Sequence, residues 1–493
     1  MGEIKEKKPI TLGLALLPLI FMVVVLVTGL TFLKIDIKIL LLLCAAFTIC
    51  VCLYLGYTWK DIENEIVDKL AKAFPAIMIL ITVGLMIGAW LVSGTIPLLV
   101  YLGLKIISPK FIIVTSFLVT VILSVSTGTS WGAAGTVGAA LMSVAAGMGA
   151  PLPAVAGAIV AGAYFGDKMS PLSDSTNMSA IATGTNLYQH IGHMFYTTVP
   201  GFIVSLIVYT VAGFHFASSG EISQVDAIIG DLSQLFNLSM PAGLLLLIPP
   251  VIVVAGSLMK KPTIPVMMIS SAVAVVIGIL VQGFDFATCA TSMVNGFKMD
   301  MFVNPAIDIA AVTEQVPRLL ERGGMASMMN TALMAFCAFA FIGAMTISGS
   351  LDVILQKLMK HIHGTGQLVT LTVLLGVIVI TVIGEASVTF LMIGGLFRPE
   401  YIKRGLESKN LSRSLEDSIT VVEPLVPWSL AGVYMASTLG VPTVQYAPWA
   451  VLCYTGVIFA IIWGFTGFGI AKIKPESDSY QEYLQANKSA EAK

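Results

Sequence analysis

Charge is scarce in this chain. Asp, Glu, Lys and Arg make up 11% of its 493 residues, against about a quarter in an ordinary soluble domain. The formal net charge is −1 and no basic cluster stands out, so nothing supports binding to nucleic acid. Cysteine is sparse as well. Cys44, Cys50, Cys52, Cys289, Cys337 and Cys453 lie in apolar runs without CxxC spacing. That argues against a disulfide framework or a metal motif and leaves small buried hydrophobes. His190 and His193 are three apart, but no Cys or acid stands beside them to complete a metal site.

Long apolar runs fill the space that charge leaves. Hydrophobic residues reach 57%, and the mean hydropathy is +0.92. Ile10–Leu33, Ile39–Leu55, Val199–Phe216 and Ala450–Ile470 approach or exceed the ~20 helical residues that cross a bilayer core. The runs are continuous, not alternating, so they fit helices and not barrel strands. The expected fold class is an all-α polytopic membrane protein with the lipid bilayer as its partner. The first run, after MGEIKEKKP, exceeds a signal-peptide core and ends without a small-residue cleavage site, so it reads as a retained span.

Sliding the chain against itself exposes a duplication. MIGAWLVSGT (86–95) matches FIGAMTISGS (341–350), LLPLIF (16–21) matches LIPPVI (247–252), and GYTWKDIENEIVDKL (56–70) matches GFDFATCATSMVNGF (283–297). Farther on, TGTS (127–130) falls on IGEA (383–386), and SPLSDST (170–176) falls on EPLVPWS (423–429). The expected organisation is a cytoplasmic N-terminus (1–10), a first transmembrane repeat (11–216), an external connector (217–240), a second repeat (241–474) with an insertion at 298–325, and a cytoplasmic tail (475–493). The stretch 59–74 reads as an interfacial amphipathic helix with Trp59, Ile62, Ile66 and Leu70 on one face. The polar tail from Pro475 reads as mobile.

Basic residues give the expected orientation. The segment 357–420 carries Lys357, Lys360, Arg398, Lys403, Arg404, Lys409 and Arg413, whereas the matching 102–167 carries only Lys105 and Lys110. By the positive-inside rule the two halves then lie inverted, with both termini cytoplasmic in a bacterial-type plasma membrane. Lys5, Lys7 and Lys8 at one end, and Lys472 and Lys474 at the other, agree. Inverted repeats with broken or re-entrant helices recur in secondary transporters, whose sites lie where the repeats meet. Some channels share that symmetry.

Two interrupted pairs mark the candidate site. STGTSWGAAGT (126–136) stands against IGEASVTFLMIGG (383–395), and GDKMSPLSDSTN (166–177) against EDSITVVEPLVPWS (416–429). Between Phe111 and Gly220 the only charged residues are Asp167, Lys168 and Asp174. Such segments concentrate carboxylates and hydroxyls in an apolar setting. A hard cation such as Na⁺ wants oxygen ligands, and a proton can compete with it for one carboxylate. In the alignment above, Asp174 falls on Pro427, Glu385 on Thr129 and Glu423 on Ser170, so each half would supply different ligands. The bland alternatives are a helix cap for Asp174, a snorkelling Lys168 beside a headgroup-level Asp167, and Glu416 and Asp417 as solvated partners of Arg413. An enzyme is not expected: GTSW (128–131) lacks the GxSG of a rhomboid protease, and AYFGD (163–167) lacks the GxGD of an intramembrane aspartyl protease.

GTSWGAAGT together with AYFGDKMSPLSDSTNMSA resembles the signature of the NhaC-type Na⁺/H⁺ antiporters of the ion transporter superfamily. That resemblance covers nearly the whole chain and implies secondary exchange by alternating access, with no cofactor beyond the ions Na⁺ and H⁺ themselves. By motif it places Thr129, Ser130, Asp167, Asp174, Ser175, Thr176 and Asn177 at the ion or substrate site, and Ser173, next to Asp174, is counted with them. Glu385 and Glu423 join them from the duplication, with Asp174, Asn177 and Glu385 as expected Na⁺ ligands. The family also holds malate/lactate exchangers, so a small organic anion is the alternative cargo. A homodimer would suit such a carrier.

Overall fold

A backbone in hydrocarbon has no polar partner but itself, so continuous apolar runs resolve into helices. The computed structural model describes residues 8–218, 225–259, 261–302, 312–359, 364–477 and 479–491. Among these residues no strand forms beyond one isolated bridge between Leu406 and Lys472. Lys5, Lys7 and Lys360, part of the connector (219–224) and part of the insertion (303–311) fall outside the described residues.

The first half comprises α1 (Leu12–Val27), α2 (Ile37–Tyr54), α3 (Trp59–Val92), α4 (Thr95–Ile106), α5 (Ile112–Thr127), α6 (Ser130–Ala133), α7 (Ala139–Gly147), α8 (Leu152–Met169), α9 (Asp174–Thr183) and α10 (Leu187–Ser218). A π turn, Ala134–Gly138, joins α6 to α7. Next come α11 (Val225–Leu235), α12 (Met240–Leu246), α13 (Ile248–Leu258), α14 (Thr263–Gln282), α15 (Phe286–Asn295), α16 (Gln315–Leu320), α17 (Met325–Ser348) and α18 (Ser350–Met359). The chain closes with α19 (Thr365–Ile383), α20 (Ala386–Lys403), α21 (Ser408–Leu415), α22 (Leu430–Leu439), α23 (Thr443–Tyr446), α24 (Val451–Thr466) and α25 (Tyr480–Glu491). Seven described helices are long and apolar enough to span a membrane, or ten spans if three bent pairs each count once. One bent pair, 408–425 with 430–439, turns by 48° inside the second candidate motif.

Matched stretches adopt matched local geometry. Gly56 and Gly283 both take positive φ, and two residues on Thr58 and Asp285 each cap a helix with their side chains. From Thr58 one 34-residue helix runs unbroken. From Asp285 a 10-residue and a 24-residue helix follow, separated by the insertion. Both courses end alike. Gly94 (φ 82°) and Gly349 (φ 67°) reverse the chain, flanked by hydroxyl pairs Ser93–Thr95 at 2.8 Å and Ser348–Ser350 at 2.7 Å.

Packing sets α8 in the interior. It lies along α5, and α17 lies along α2 and α3. The approach of α8 to α5 depends on Gly166, where an added Cβ would sit 2.2 Å from Ser124 Oγ and 2.3 Å from its backbone carbon. Small residues at such positions let helix backbones meet in a membrane.

Two expectations need correcting. Residues 59–74 are not a separate surface helix but the first turns of α3; Trp59 is exposed, whereas Ile62 is buried and Ile66 lies against Gly343 of α17. The tail is not featureless either. Its helix α25 docks on α20, with Glu482 bonded to Arg398 at 2.9 Å. A polar composition gives no warning of docking through a few polar contacts.

Candidate ion site

The first interrupted pair is built by glycine. Gly128 (φ 71°) ends α5 and Gly384 (φ 66°) ends α19, each in the left-handed conformation that closes a helix without a Cβ clash. Each is followed by one extended residue that caps the next helix. Thr129 (φ −140°, ψ 120°) accepts from Gly132 N–H, and Glu385 (φ −143°, ψ 124°) accepts from Ser387 N–H at 2.9 Å and Val388 N–H at 2.8 Å. Glu385 therefore spends its carboxylate on orphan donors of its own helix.

The second pair surrounds Asp167, two residues before the end of α8. Ser130 Oγ donates to one carboxylate oxygen at 2.6 Å and Ser173 Oγ to the other at 2.5 Å. The Asp167 carbonyl, left free by the helix end, accepts from Thr176 Oγ1 at 2.6 Å and Ser175 Oγ at 3.1 Å. Asn177 ties the loop down by donating to the Pro171 and Ser173 carbonyls. So the hydroxyls of Ser175 and Thr176 and the amide of Asn177 are consumed in holding Asp167 and its loop. The first break touches the same loop, since a Cβ on Gly128 would lie 2.4 Å from Leu172 Cβ.

The structure corrects the alignment of this pair. Ser173 and Ser429 occupy the residue before α9 and α22, each ten residues long, and Gly184 (φ 65°) and Gly440 (φ 70°) end them. The separation is the 256 residues that relate Gly128 to Gly384, not the three-fewer spacing read from SPLSDST and EPLVPWS. Asp174 now stands opposite Leu430, and Asp167 stands opposite Glu423. Asp167 and Glu385 both act electrostatically on Glu423, and Tyr164, buried, feels Asp167 and Glu423. Asp167, Glu385 and Glu423 are each partly buried.

The short helices cross between the halves. Tyr434 of α22 stacks on Trp131 at 4.2 Å and donates to its carbonyl at 2.8 Å. Reciprocally α9 packs on α20, where a Cβ on Gly394 would lie 2.8 Å from the Ala182 carbonyl. Four helix N-termini, of α6, α9, α20 and α22, belong to these interrupted segments, and their partial positive charge offsets nearby carboxylates.

Asp174 reaches Asp167 through charge and not through a hydrogen bond. Asp174 is exposed at the first position of α9, and among the described residues no hydrogen bond joins it to Asn177 or Glu385. No group of three or more His, Cys, Asp or Glu among the described residues is arranged to hold a metal ion. Lys168 does not snorkel: it is 1% exposed and paired with Asp417, itself 0% exposed. Glu416 and Asp417 are not solvated partners of Arg413, because all three are fully buried. His190 and His193 bond Ser412 Oγ at 2.8 Å and Asn410 Oδ1 at 3.1 Å, as core histidines do. Sequence reasoning passed over the Lys168–Asp417 pair and Tyr164. The 256-residue spacing already present in TGTS and IGEA was the available signal for pairing Asp167 with Glu423.

Comparison with known proteins agrees in one direction. Residues 162–468 match the model of the Na⁺/H⁺ antiporter family. An uncharacterized Na⁺/H⁺ antiporter of Haemophilus influenzae is 46% identical over 95% of this chain and 99% of its own length. The Na⁺/H⁺ antiporter NhaC of Alkalihalophilus pseudofirmus is 35% identical over 95% of this chain and 98% of its own. The malate-2H⁺/Na⁺-lactate antiporter of Bacillus subtilis is 34% identical over 84% of this chain and 86% of its own. With its broken apolar helices and the matched interrupted segments, this multi-pass chain belongs to the Na⁺/H⁺ antiporter family.

Proposed function

We propose that the protein exchanges Na⁺ for H⁺ by alternating access, with Asp167 at the centre of the ion site. The observation that carries this reading is a partly buried carboxylate held on both oxygens by Ser130 and Ser173, from two helix breaks of the first half. Oxygen donors in a dry setting suit Na⁺. One carboxylate that binds either Na⁺ or H⁺, but not both, gives obligatory exchange. Glu423 and Glu385 bring two further carboxyl groups from the second half, and Asp174 brings another from the start of α9. Thr129, Ser175, Thr176 and Asn177 hold the backbone of the breaks. Such a cycle needs no cofactor, since both ions are cargo.

Inverted repeats, cytoplasmic termini in a bacterial-type plasma membrane and a homodimer belong to the same reading. The matched glycine breaks support a duplication whose halves rock about a shared site.

A relative named for malate and lactate keeps an organic anion as second cargo. One observation weighs against it: the cation that a carboxylate substrate would seek in α8, Lys168, is already paired with Asp417. In proteoliposomes carrying a pH-sensitive dye, Asp167→Asn is expected to abolish Na⁺-dependent proton movement while the protein still inserts and purifies. Full activity in that variant sinks the assignment. Counterflow of labelled malate or lactate in the same vesicles, with and without an Na⁺ gradient, decides on the organic anion.

A further inference from the structure

The exchange site leaves one buried acid without a task. Glu416 is 0% exposed, and among the described residues neither of its carboxyl oxygens has a partner at hydrogen-bond geometry. It opens the π turn Glu416–Thr420, a rare winding often found at functional positions. Thr420, four residues on and so on the same face, has a buried hydroxyl with no partner, and Asp417 Oδ2 is free as well. One five-residue turn therefore carries four buried oxygens that meet no partner at hydrogen-bond geometry among the described residues, with the Thr420 hydroxyl facing the Glu416 carboxyl.

The surrounding charges do not fill the gap. α8 presents Asp167 and Lys168 to Glu416, and Asp417 lies beside it. Lys168 is committed to Asp417 Oδ1, and past it stand His190 of α10 and Cys453 of α24. Arg413 of α21 donates to the Gly469 carbonyl at 2.8 Å; its Nε and Nη2 lack partners, yet neither bonds Glu416. A fully buried carboxyl without a hydrogen bond or an ion-pair partner of its own is among the costliest groups to bury. A proton or a small cation supplies what the protein omits.

We infer that Glu416 is a second position for a monovalent cation, H⁺ or Na⁺, separate from Asp167 and closed in this conformation. This rests on the exchange reading and extends it: each cycle carries one more cation than the Asp167 site alone accounts for. Closure follows from the complete burial of Glu416, so loading and release require the packing of α8 against the π turn to open.

Purified protein in detergent tests it by counting H⁺ released and ²²Na⁺ bound per chain. If a proton occupies Glu416, Glu416→Gln lowers the H⁺ released per Na⁺ bound by one, and Glu416→Asp restores it. If Na⁺ does, Glu416→Gln lowers the Na⁺ bound per chain by one. Unchanged counts of both ions in Glu416→Gln overturn the proposal. Wild-type protein gives a second measurement that needs no variant: a hydrophobic carbodiimide should label Glu416 at low pH, with Na⁺ or high pH protecting. Labelling that ignores both also overturns it. Protected labelling at Glu416 without Na⁺-driven proton flux in vesicles keeps the cation position and refutes the exchange reading. Flux with unchanged counts and no protection does the reverse.

Discussion

Replacing Lys168 by Met puts the buried ion pair to a quantitative test. Lys168 and Asp417 are 1% and 0% exposed, and Gly456 packs closely on the pair, a Cβ there being 3.1 Å from both Lys168 Nζ and Asp417 Oδ1. Removing the ammonium strands Asp417, whose second oxygen already lacks a partner. Breaking a buried pair from one side costs about 3–5 kcal/mol. That is a factor of roughly 10²–10⁴ in the folded-to-unfolded ratio. Asp417→Asn should cost less, because Lys168 keeps Glu416 within electrostatic reach. The double variant Lys168→Met/Asp417→Leu should recover most of the loss, since apolar replacement of a whole buried pair is about neutral. The assay is denaturation in mixed micelles, completed as a double-mutant cycle. A loss under about 1 kcal/mol in Lys168→Met, set against that 3–5 kcal/mol expectation, refutes the reasoning. So does a double variant no better than the sum of the singles.

Further outcomes follow from named contacts. Ser173→Ala removes one of the two hydroxyls on Asp167; a hydrogen bond to a charged group contributes about 1.5–3 kcal/mol, so the Na⁺ concentration for half-maximal exchange should rise by roughly 10- to 100-fold. Gly166→Val drives a side chain into Ser124 and the α5 backbone, and monodisperse yield in detergent should collapse, whereas a substitution at Gly395, which has open space beside it, should not. Asp285 caps α15, and the Thr288 N–H holds its carboxyl below the usual value. A depressed folded value means that its contribution is present above the ordinary carboxylate range and is lost as pH falls through the folded value. Asp285→Asn should flatten that acid-side slope of stability against pH.

The helices are legible because a bilayer demands unbroken apolar runs, and the breaks are legible because Gly-Thr-Ser and Gly-Glu-Ala announce a left-handed stop followed by a cap. The centre of the site is less so. SPLSDST and EPLVPWS share a Pro-Leu that draws an ungapped match three residues out of step with the helix starts at Asp174 and Leu430. In that register Asp174 looks like the important acid, and Asp167 like an edge. Glu416 and Asp417 follow Arg413 at short sequence distance, which suggests local pairing. Their actual surroundings come from α8, 249 residues away in chain order for Lys168 and Asp417. A single sequence carries no record of such a contact.

That separation bears on how the protein is made. Ribosomes add about 5–20 residues per second, so Lys168 enters the membrane roughly ten to fifty seconds before Asp417 exists. A lone Lys is opposed by about 2.5–3.5 kcal/mol at the centre of an inserted helix and by less toward its end, and Lys168 lies in the last turn of α8. During biogenesis α8 must therefore wait, sheltered by the insertion machinery or shifted toward the headgroups, until the second half arrives. The reciprocal docking of α9 on α20 and α22 on Trp131 has the same implication. A ribosome stalled before residue 417 would leave a first half that quality control can recognise by its unpaired charge.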